Sequence, residues 1–569
     1  LNVLAIDYET DWSRDYSVAD MGVWAYVRDP RFRAHTVSLY GEGLEFVGAP
    51  ADAPWERAVS FDAWVSHHAA FDQAVHGQLG LPAPRVWDCT ADLMAYLQHP
   101  RGLAAAAKIG LDVTLDKSTR EAMALDGGLF RPSAAEVHAY ALADAKASHD
   151  LWARFSHRWP EHERELSRHT RRMAERGIGF DAEAAKAAVQ KLTKAIKAAE
   201  AKIPWVAAGK PPTSRLELLA EVARLGLPAP TSTADKSEEW QEWLEAHEKA
   251  APWVRAINRW RKLNRTRAVV EAMLLRSAEG RLHAPLKYYG AAVTGRWSGS
   301  DGLNLQNLPR EASDGVDVRA LLRPATGCVF VVSDLSQIEP RVLAVLSGDD
   351  KLLAGLRSGL ALYEAHARAT MMWDGGPLKK EQPKLYALAK ARVLGLSYGA
   401  GAGTFRRVAK ALAGLELDEA DAKTTVDEFR QTNPAITGLW DRMDAAMKRA
   451  EKVFAVKTKA GRPLRYFRPL GQECSTTKDG ARLRMWGSKL VENLVQATAR
   501  DVMASMVLAV ERAGWPVVLH VHDELVVEVA ADQAQACLED VRRIMSKPPR
   551  WMPDLPVECE AQIMEVYGK

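Results

Sequence analysis

At 569 residues, 47% of them hydrophobic and 26% charged, the chain exceeds what one core can hold and falls outside the disordered and collagen-like classes. No apolar run reaches the roughly 18 residues of a membrane span, and an acidic segment from Asp7 onward excludes a signal peptide. A formal net charge of +3 does not by itself call for a polyanionic partner, and five scattered cysteines (Cys89, Cys328, Cys474, Cys537, Cys559) exclude a disulfide framework or structural zinc and point to a reducing cytosol.

Residues 1–160 alternate short apolar runs with helical periodicity, which predicts an α/β domain. Val3-Leu4-Ala5-Ile6 reads as a strand, and 91–110 and 133–156 read as helices. Asp7 and Glu9 follow that strand two residues apart, so strand periodicity points both the same way. Asp72 closes His67-His68-Ala69-Ala70-Phe71-Asp72, and Tyr140 and Asp144 sit one turn apart on one helical face. Four carboxylates and a phenol could hold two divalent ions and orient a water for phosphodiester hydrolysis. Taken singly, each acid is equally well a surface acid.

From Glu161 to Arg276 the pattern is almost wholly helical, interrupted by a Pro/Thr/Ser patch from Pro228 to Ser237. Between Ala251 and Arg310 eleven basic residues stand against Glu271, Glu279 and Asp301. A phosphate-neutralising stripe and a solvated helix face both have that composition.

Residues 281–345 carry strands and turns, 350–450 are helical, and 485–513 form one long amphipathic helix. A hairpin follows, with Val517–Val521 and Leu525–Val529 as its strands. Val329–Val332 reads as a buried strand that delivers Asp334 at its end, and the hairpin presents Asp523 and Glu524 at its turn. A lone acid in such a place is often only a turn former or a cap. Brought together, these acids form a site for Mg²⁺ ions that activate a 3′-oxygen and stabilise a leaving pyrophosphate. Tyr386, Lys390, Leu394 and Tyr398 recur every four residues on a helix predicted over 383–398, so they share one face. That face offers a cation for triphosphate oxygens and flat groups for a base; a core stripe with one snorkelling lysine has the same pattern. Gly399 to Gly403 reads as the turn ending this helix, because no strand precedes it as a dinucleotide-binding loop requires.

Together these pieces resemble family A DNA polymerases, the group of bacterial DNA polymerase I and many phage replicative enzymes. The resemblance is carried by Asp334-Leu335-Ser336-Gln337-Ile338-Glu339-Pro340-Arg341, by Lys390 through Tyr398-Gly399, and by Val521-His522-Asp523-Glu524. Thr294-Gly295-Arg296, Asn304 through Pro309 and Glu492-Asn493-Leu494-Val495-Gln496 add to it. It implies a right-hand polymerase of palm, fingers and thumb in which Asp334 and Asp523, with Glu524 beside them, bind two Mg²⁺ (or Mn²⁺) ions. Glu339 would sit under the incoming sugar and select deoxynucleotides, Lys390 would hold the triphosphate, and Tyr398 would lie near the templating position. Gln337, Tyr386 and Leu394 complete the nucleotide pocket. Arg296, Asn304, Gln306, Asn307, Arg341, Gln496 and His522 are expected on the primer–template, at backbone and minor groove, where shape is read more than base identity. Two positions depart from the family: Tyr386 stands where an arginine is usual, so Lys384, Arg392 or a residue elsewhere must compensate or nucleotide binding is weaker, and Leu394 stands where an aromatic is usual.

Asp7, Glu9, Asp72, Asp144 and Tyr140 resemble the 3′→5′ exonucleases of four acids and a tyrosine, a ribonuclease H-like fold with two divalent ions that commonly precedes these polymerases. His68 replaces the usual asparagine. The resemblance divides this α/β and α+β multidomain chain into an exonuclease domain (1–160), a helical connector and thumb (161–280, with Met173–Ile178 among its matches), a first palm part (281–349), fingers (350–484) and a second palm part (485–569). It implies a monomer in the cytoplasm, in a phage-infected cell or a bacterial host, acting on primer–template DNA and deoxynucleoside triphosphates with a processivity or helicase partner. A chain beginning with Leu1 has a missing or unusual start, and no room precedes Asp7 for a 5′ nuclease. Three rival readings remain: a single-subunit RNA polymerase, against which Glu339 and the linked nuclease argue; a nuclease with an inactive polymerase half, which would require the loss of Asp334 or Asp523; and a non-catalytic DNA-binding protein.

Overall fold

The computed structural model describes residues 2–116, 118–124, 132–235 and 237–568, so Leu1 lies outside the described residues. Near the N-terminus, strands β1 (Val3–Thr10), β2 (Ala34–Gly41), β3 (Leu44–Gly48), β4 (Ala63–Ser66) and β5 (Trp87–Cys89) form a five-stranded sheet in the order β3-β2-β1-β4-β5. β1 runs antiparallel to β2 and parallel to β4. Successive side chains of β1 alternate between two cores. Val3 and Ala5 pack with Ala145 and Leu151 of helix α2 (Ala134–Phe155), while Leu4 and Ile6 pack with Ala74 and Val75 of helix α1 (Ala69–Gln78). α2 starts in a capping box, Ser133 with Glu136.

Two predicted bounds shift here. Asp7 and Glu9 lie inside β1, opposite Ser38 and Thr36, rather than after it. The aliphatic run ends at Ile6, but Tyr8 and Thr10 carry the buried side onward. The helix predicted over 91–110 is two helices, Thr90–Tyr96 and Leu103–Leu111, separated where Gln98 takes φ +58 and Pro100 follows.

Next come helices α3 (Glu161–Arg176), α4 (Ala182–Glu200) and α5 (Trp253–Leu275). α4 opens on Asp181, whose side chain accepts from the Ala184 N–H, and its Leu192 and Ile196 share a core with Leu263 and Met273 of α5. Trp205, Trp240, Trp243 and Trp253 gather the shorter helices of 215–247 into a separate cluster. Several basic side chains of the 251–310 stretch already hold carboxylates. Arg255 pairs with Glu248, Arg259 with Asp314, Arg265 with Asp235 and Arg281 with Glu528. The first three are partly exposed pairs, worth little, whereas the Glu528 that Arg281 holds is buried.

The C-terminal part is built on an antiparallel sheet of β6 (Cys328–Leu335), β7 (Val517–Val521), β8 (Glu524–Ala530) and β9 (Cys559–Met564), in the order β7-β8-β6-β9. Between β6 and β7 run α6 (Ile338–Ser347), α7 (Pro383–Ala391), α8 (Ala402–Ala413), α9 (Glu419–Thr432), α10 (Pro434–Lys448) and α11 (Gly487–Arg512), and α12 (Ala534–Met545) packs on the sheet after β8. α11 is not amphipathic in its setting: it is buried on nearly every side, between α3, α6, α10, α12 and β7. A small sheet of Val453–Lys457, Pro463–Leu470, Glu473–Ser475 and Arg482–Arg484 precedes it. No helix among the described residues is long and apolar enough to cross a membrane.

Candidate active sites

The sheet brings the C-terminal acids together. Asp334 lies opposite Glu524 in the β6–β8 register, and the Leu335 N–H donates to the Asp523 carbonyl at 3.0 Å. β7 and β8 are joined by a two-residue turn, His522–Asp523, with His522 at φ +56, the backbone that tight hairpins need. The turn therefore sets Asp523 beside the end of β6, where the valine-rich run Val329–Val332 stops and Asp334 begins. Burial raises the Asp523 carboxyl above its ordinary value, with Arg296 opposing. Arg296 in turn pairs with Glu339 at the start of α6, and Asp523, Tyr398 and Glu492 all act on its guanidinium. Asp523, Arg296 and Glu339 line a cavity of about 200 Å³ with Gln306, Arg500, His520 and His522. Gln306 is buried and donates to the His520 carbonyl at 3.4 Å, while Asn304 accepts from the Gln306 N–H at 3.0 Å. Tyr567 donates its hydroxyl to Glu524. Gln496 donates to Glu492, which also binds Lys489.

Asn307 and Gln337 are exposed, Gln337 at φ +47 just before α6. Arg341 differs from the contact residue that the resemblance implied. Its guanidinium is buried, donates to the carbonyls of Ser336 and Pro556, and pairs with Glu558, so it ties the start of α6 to the segment before β9.

The predicted helix over 383–398 is also modified. α7 ends at Ala391, Arg392–Leu396 winds as a π-helix, and Gly399 closes the turn at φ +79. Four residues overshoot a turn by about 40° in an α-helix and fall short of one in the wider π winding. The π segment thus reverses the drift, and Lys390, Leu394 and Tyr398 stay partly accessible while most residues between them are buried. Burial raises the Tyr398 phenol, and its hydroxyl has no hydrogen-bond partner among the described residues. Tyr386 stacks edge-on against Tyr363 at 5.5 Å. Of the two cations considered as substitutes for an arginine at 386, Lys384 is exposed. Arg392 is buried and taken up by Glu428 and Thr432.

In the N-terminal sheet, strand alternation carries Asp7 and Glu9 to the side that α2 covers, and α2 places Asp144 there. One carboxylate oxygen from each lies within 4.8 Å of the others, a group fit to hold a cation. Asp72 stands at the first turn of α1, buried, accepting from the Tyr8 N–H at 3.3 Å, and burial pushes its carboxyl well above the usual range. It lies outside the three-acid group. Tyr140 is half-buried, one turn before Asp144. His68 takes φ +67 at the head of α1.

Residues 182–569 match the family model described as DNA polymerase family A. The chain belongs to that family. Over their whole lengths, it is 27% identical to the DNA polymerase of Bacillus phage SP02, covering 100% of both. It is 30% identical to the thermostable DNA polymerase I of Thermus filiformis over 77% of this chain and 51% of that one. The DNA polymerase I of Pseudomonas aeruginosa is also 30% identical, over 57% of this chain and 34% of its own. The chain thus spans about half or less of those polymerase I relatives. Among solved structures, the POL domain of Pol1 from M. smegmatis, in complex with DNA primer-template and dNTP, has the same fold at a TM-score of 0.74 and 20% identity, covering 100% of this chain and 96% of that one. The family match begins after the N-terminal sheet.

Family A motifs do not account for every charged group at this site. Behind the Thr294-Gly295-Arg296 loop, Arg462 donates to the carbonyls of Thr294 (2.8 Å) and Ala497 (2.9 Å) and pairs with Asp501 at 2.8 Å, all buried. The N-terminal part reaches the same region through Gln98, whose side-chain amide donates to the carbonyls of Arg465 and Thr476 and accepts from the Arg465 N–H. Charges inside an otherwise apolar helix such as α11 are the signal that could have located Arg500 and Asp501. Nothing local in the sequence marks Gln98.

Proposed function

We propose that the chain is a template-directed DNA polymerase that extends a primer 3′ end with deoxynucleoside triphosphates, and that its N-terminal part is a ribonuclease H-like 3′→5′ proofreading exonuclease. The observation carrying the first half is the placement of Asp334 and Asp523 at adjoining strand ends, with Asp523 sharing a cavity with Arg296 and Glu339. Primer–template DNA would lie along Arg296, Asn304, Gln306, Asn307, Gln496 and His522. The triphosphate would meet Lys390, with Tyr398 and Leu394 beside the base and Glu339 beneath the sugar. Arg296 holds Glu339 in place, so the carboxylate meets the sugar as a fixed group. The second half rests on the three-carboxylate group of Asp7, Glu9 and Asp144, with Asp72 and Tyr140 nearby to bind and orient the scissile phosphate and its water. The donor chemistry at both sites suits hard divalent cations, and the buried carboxyl of Asp523 favours a cation beside it. Divalent cations held by these carboxylates would supply Lewis acidity at the attacking and leaving oxygens. On this reading 1–160 is the exonuclease, 161–280 the connector and thumb, 281–349 and 485–569 the palm, and 350–484 the fingers. The enzyme works as a monomer in DNA replication, within a cell or a phage-infected cell. Primer extension with each nucleotide withheld in turn, with and without Mg²⁺, tests it: arrest at the template position calling for the missing nucleotide supports it, and template-independent or absent incorporation overturns it.

A further inference from the structure

The N-terminal part and the polymerase part meet at a short connection that neither proposed reaction uses. It spans 97–102, between the helices Thr90–Tyr96 and Leu103–Leu111. On one side His67, next to the His68 that heads α1, donates Nε2 to the Arg101 carbonyl at 2.6 Å. On the other, Gln98 reaches the small sheet of 453–484. Its amide donates at 2.9 Å to the carbonyls of Arg465 and Thr476 and accepts from the Arg465 N–H at 2.8 Å. Its own carbonyl accepts from the Lys478 N–H at 2.9 Å. Arg465 lies on the strand Pro463–Leu470 beyond the end of its neighbour Glu473–Ser475, whose pairing stops at Phe467. The Gln98 amide supplies there the donor and acceptor that a further strand residue would. Gln98 is buried and holds φ +58, a backbone that a residue with a side chain adopts only at a cost.

The strand that Gln98 holds follows directly on Arg462. The Arg462 guanidinium donates to the Tyr289 hydroxyl at 2.9 Å and lies over the Tyr289 ring, which Tyr96 meets edge-on at 5.7 Å. Arg462 is therefore set from two directions by the N-terminal part: by Gln98 through its strand, and by Tyr96 through the ring beneath it. Its other bonds include the Thr294 carbonyl, at the head of the loop that presents Arg296. That loop turns at Gly295 (φ +70), where an added side chain would stand 2.8 Å from the Arg462 guanidinium. Packing this close passes a shift of Arg462 on to the loop.

We propose that Gln98 is a positioning residue for the polymerase site: through it the N-terminal part sets the strand that follows Arg462, and with it the loop that aims Arg296 at Glu339. The inference rests on the polymerase reading for what Glu339 does. The Arg296–Glu339 pair is partly exposed, and a pair of that kind holds its geometry only where both ends are fixed. Glu339 is fixed by the first turn of α6, so the Arg296 end depends on the loop. The bonds that Gln98 makes are directional, as an apolar contact is not, and they fix the strand in register as well as in place. They end on the small sheet, so sugar selection rather than bond formation is what Gln98 governs.

The test uses the full chain and single-nucleotide incorporation with deoxyribo- and ribonucleotides, reading kcat and KM separately. Gln98→Leu roughly keeps the volume and removes the side-chain bonds. It should raise the ribo-to-deoxyribonucleotide ratio of kcat/KM about fivefold, mostly through the ribonucleotide KM, while trimming of a single strand persists. In a Glu339→Ala background the same substitution should add nothing, because the group it helps to meet is gone. Should Gln98→Leu fail to fold, Gln98→Glu, which keeps the bond from the Arg465 N–H and loses both donated ones, is read in its place. An unchanged ratio in the variant that folds, or an equal rise in the Glu339→Ala background, overturns the proposal and leaves the polymerase reading standing. Joint loss of incorporation and trimming would make Gln98 a prop of the whole fold and overturns it too. A wild type that incorporates no nucleotide overturns both readings.

Discussion

Glu163 and Arg500 form a bidentate ion pair, at 2.6 and 3.0 Å, with both side chains buried and 337 positions apart in sequence. Arg500 also donates Nε to the Gly295 carbonyl at 3.0 Å, and Tyr288 donates its hydroxyl to Glu163. With Arg462 on the Thr294 carbonyl, two buried guanidinium groups fix the loop that presents Arg296. Burial would raise the Glu163 carboxyl, and Arg500 overrides that and holds it below the usual range. Glu163→Gln takes from a buried cation its bidentate partner and leaves it only Asp501 at 3.3 Å, so it should destabilise the fold by about 3 kcal/mol. Because the folded carboxyl is lowered, the pair's contribution is present above the ordinary carboxylate value of about 4.3 and lost as the pH falls below it. Denaturant midpoints of wild type and variant should therefore differ at neutral pH and converge in acid; a gap independent of pH would remove this assignment.

Asp334→Ala and Asp523→Ala should each abolish primer extension while leaving primer–template affinity within about threefold. Loss of a group in the reacting constellation commonly costs about 10⁴-fold or more in turnover. Asp334 is half-buried at a strand end, so its removal leaves the sheet pairing intact. Extension assays with a filter-binding control measure both quantities, and retained extension would exclude these two carboxylates from the chemistry.

The parts legible in the sequence are those with local signals. Asp334 and Asp523 stand out because aliphatic strands end on acids, and the Asp7–Glu9 pair because two acids two apart share a strand face. Elements set by tertiary context were not legible. The π winding at Arg392–Leu396 has no local marker, although the four-residue spacing of Lys390, Leu394 and Tyr398 is what it preserves. α11 reads as amphipathic because Asn493, Arg500 and Asp501 are polar, yet each is buried against partners from remote segments. The motif marks Arg341 as a DNA contact, but its neighbours at Pro556 and Glu558 lie over two hundred residues away and no periodicity brings them to view.

Glu339→Ala should raise ribonucleotide use. The carboxylate is half-buried and held by Arg296, so it cannot swing aside to admit a 2′-hydroxyl. Removing it should shift the ribo-to-deoxyribonucleotide ratio of kcat/KM by about tenfold or more towards ribonucleotides. The same change frees the Arg296 guanidinium for phosphate, so affinity for the primer terminus should hold or rise. Single-nucleotide incorporation kinetics separate the two effects, and an unchanged ratio would mean that the sugar is checked elsewhere.

Asp7→Ala with Glu9→Ala should remove 3′ trimming by at least about a thousandfold and spare extension. Stability gives an independent readout of the same site. Asp7, Glu9 and Asp144 converge within 4.8 Å, and like charges at that range repel. Adding Mg²⁺ or Mn²⁺ should raise the thermal midpoint of the wild type, since a cation that binds only the folded state stabilises it by mass action. The part of that rise due to this site should be missing from the double variant but retained in Asp334→Ala. An equal cation-induced rise in all three proteins, together with an unchanged trimming rate, would place neither a cation nor hydrolysis at Asp7 and Glu9.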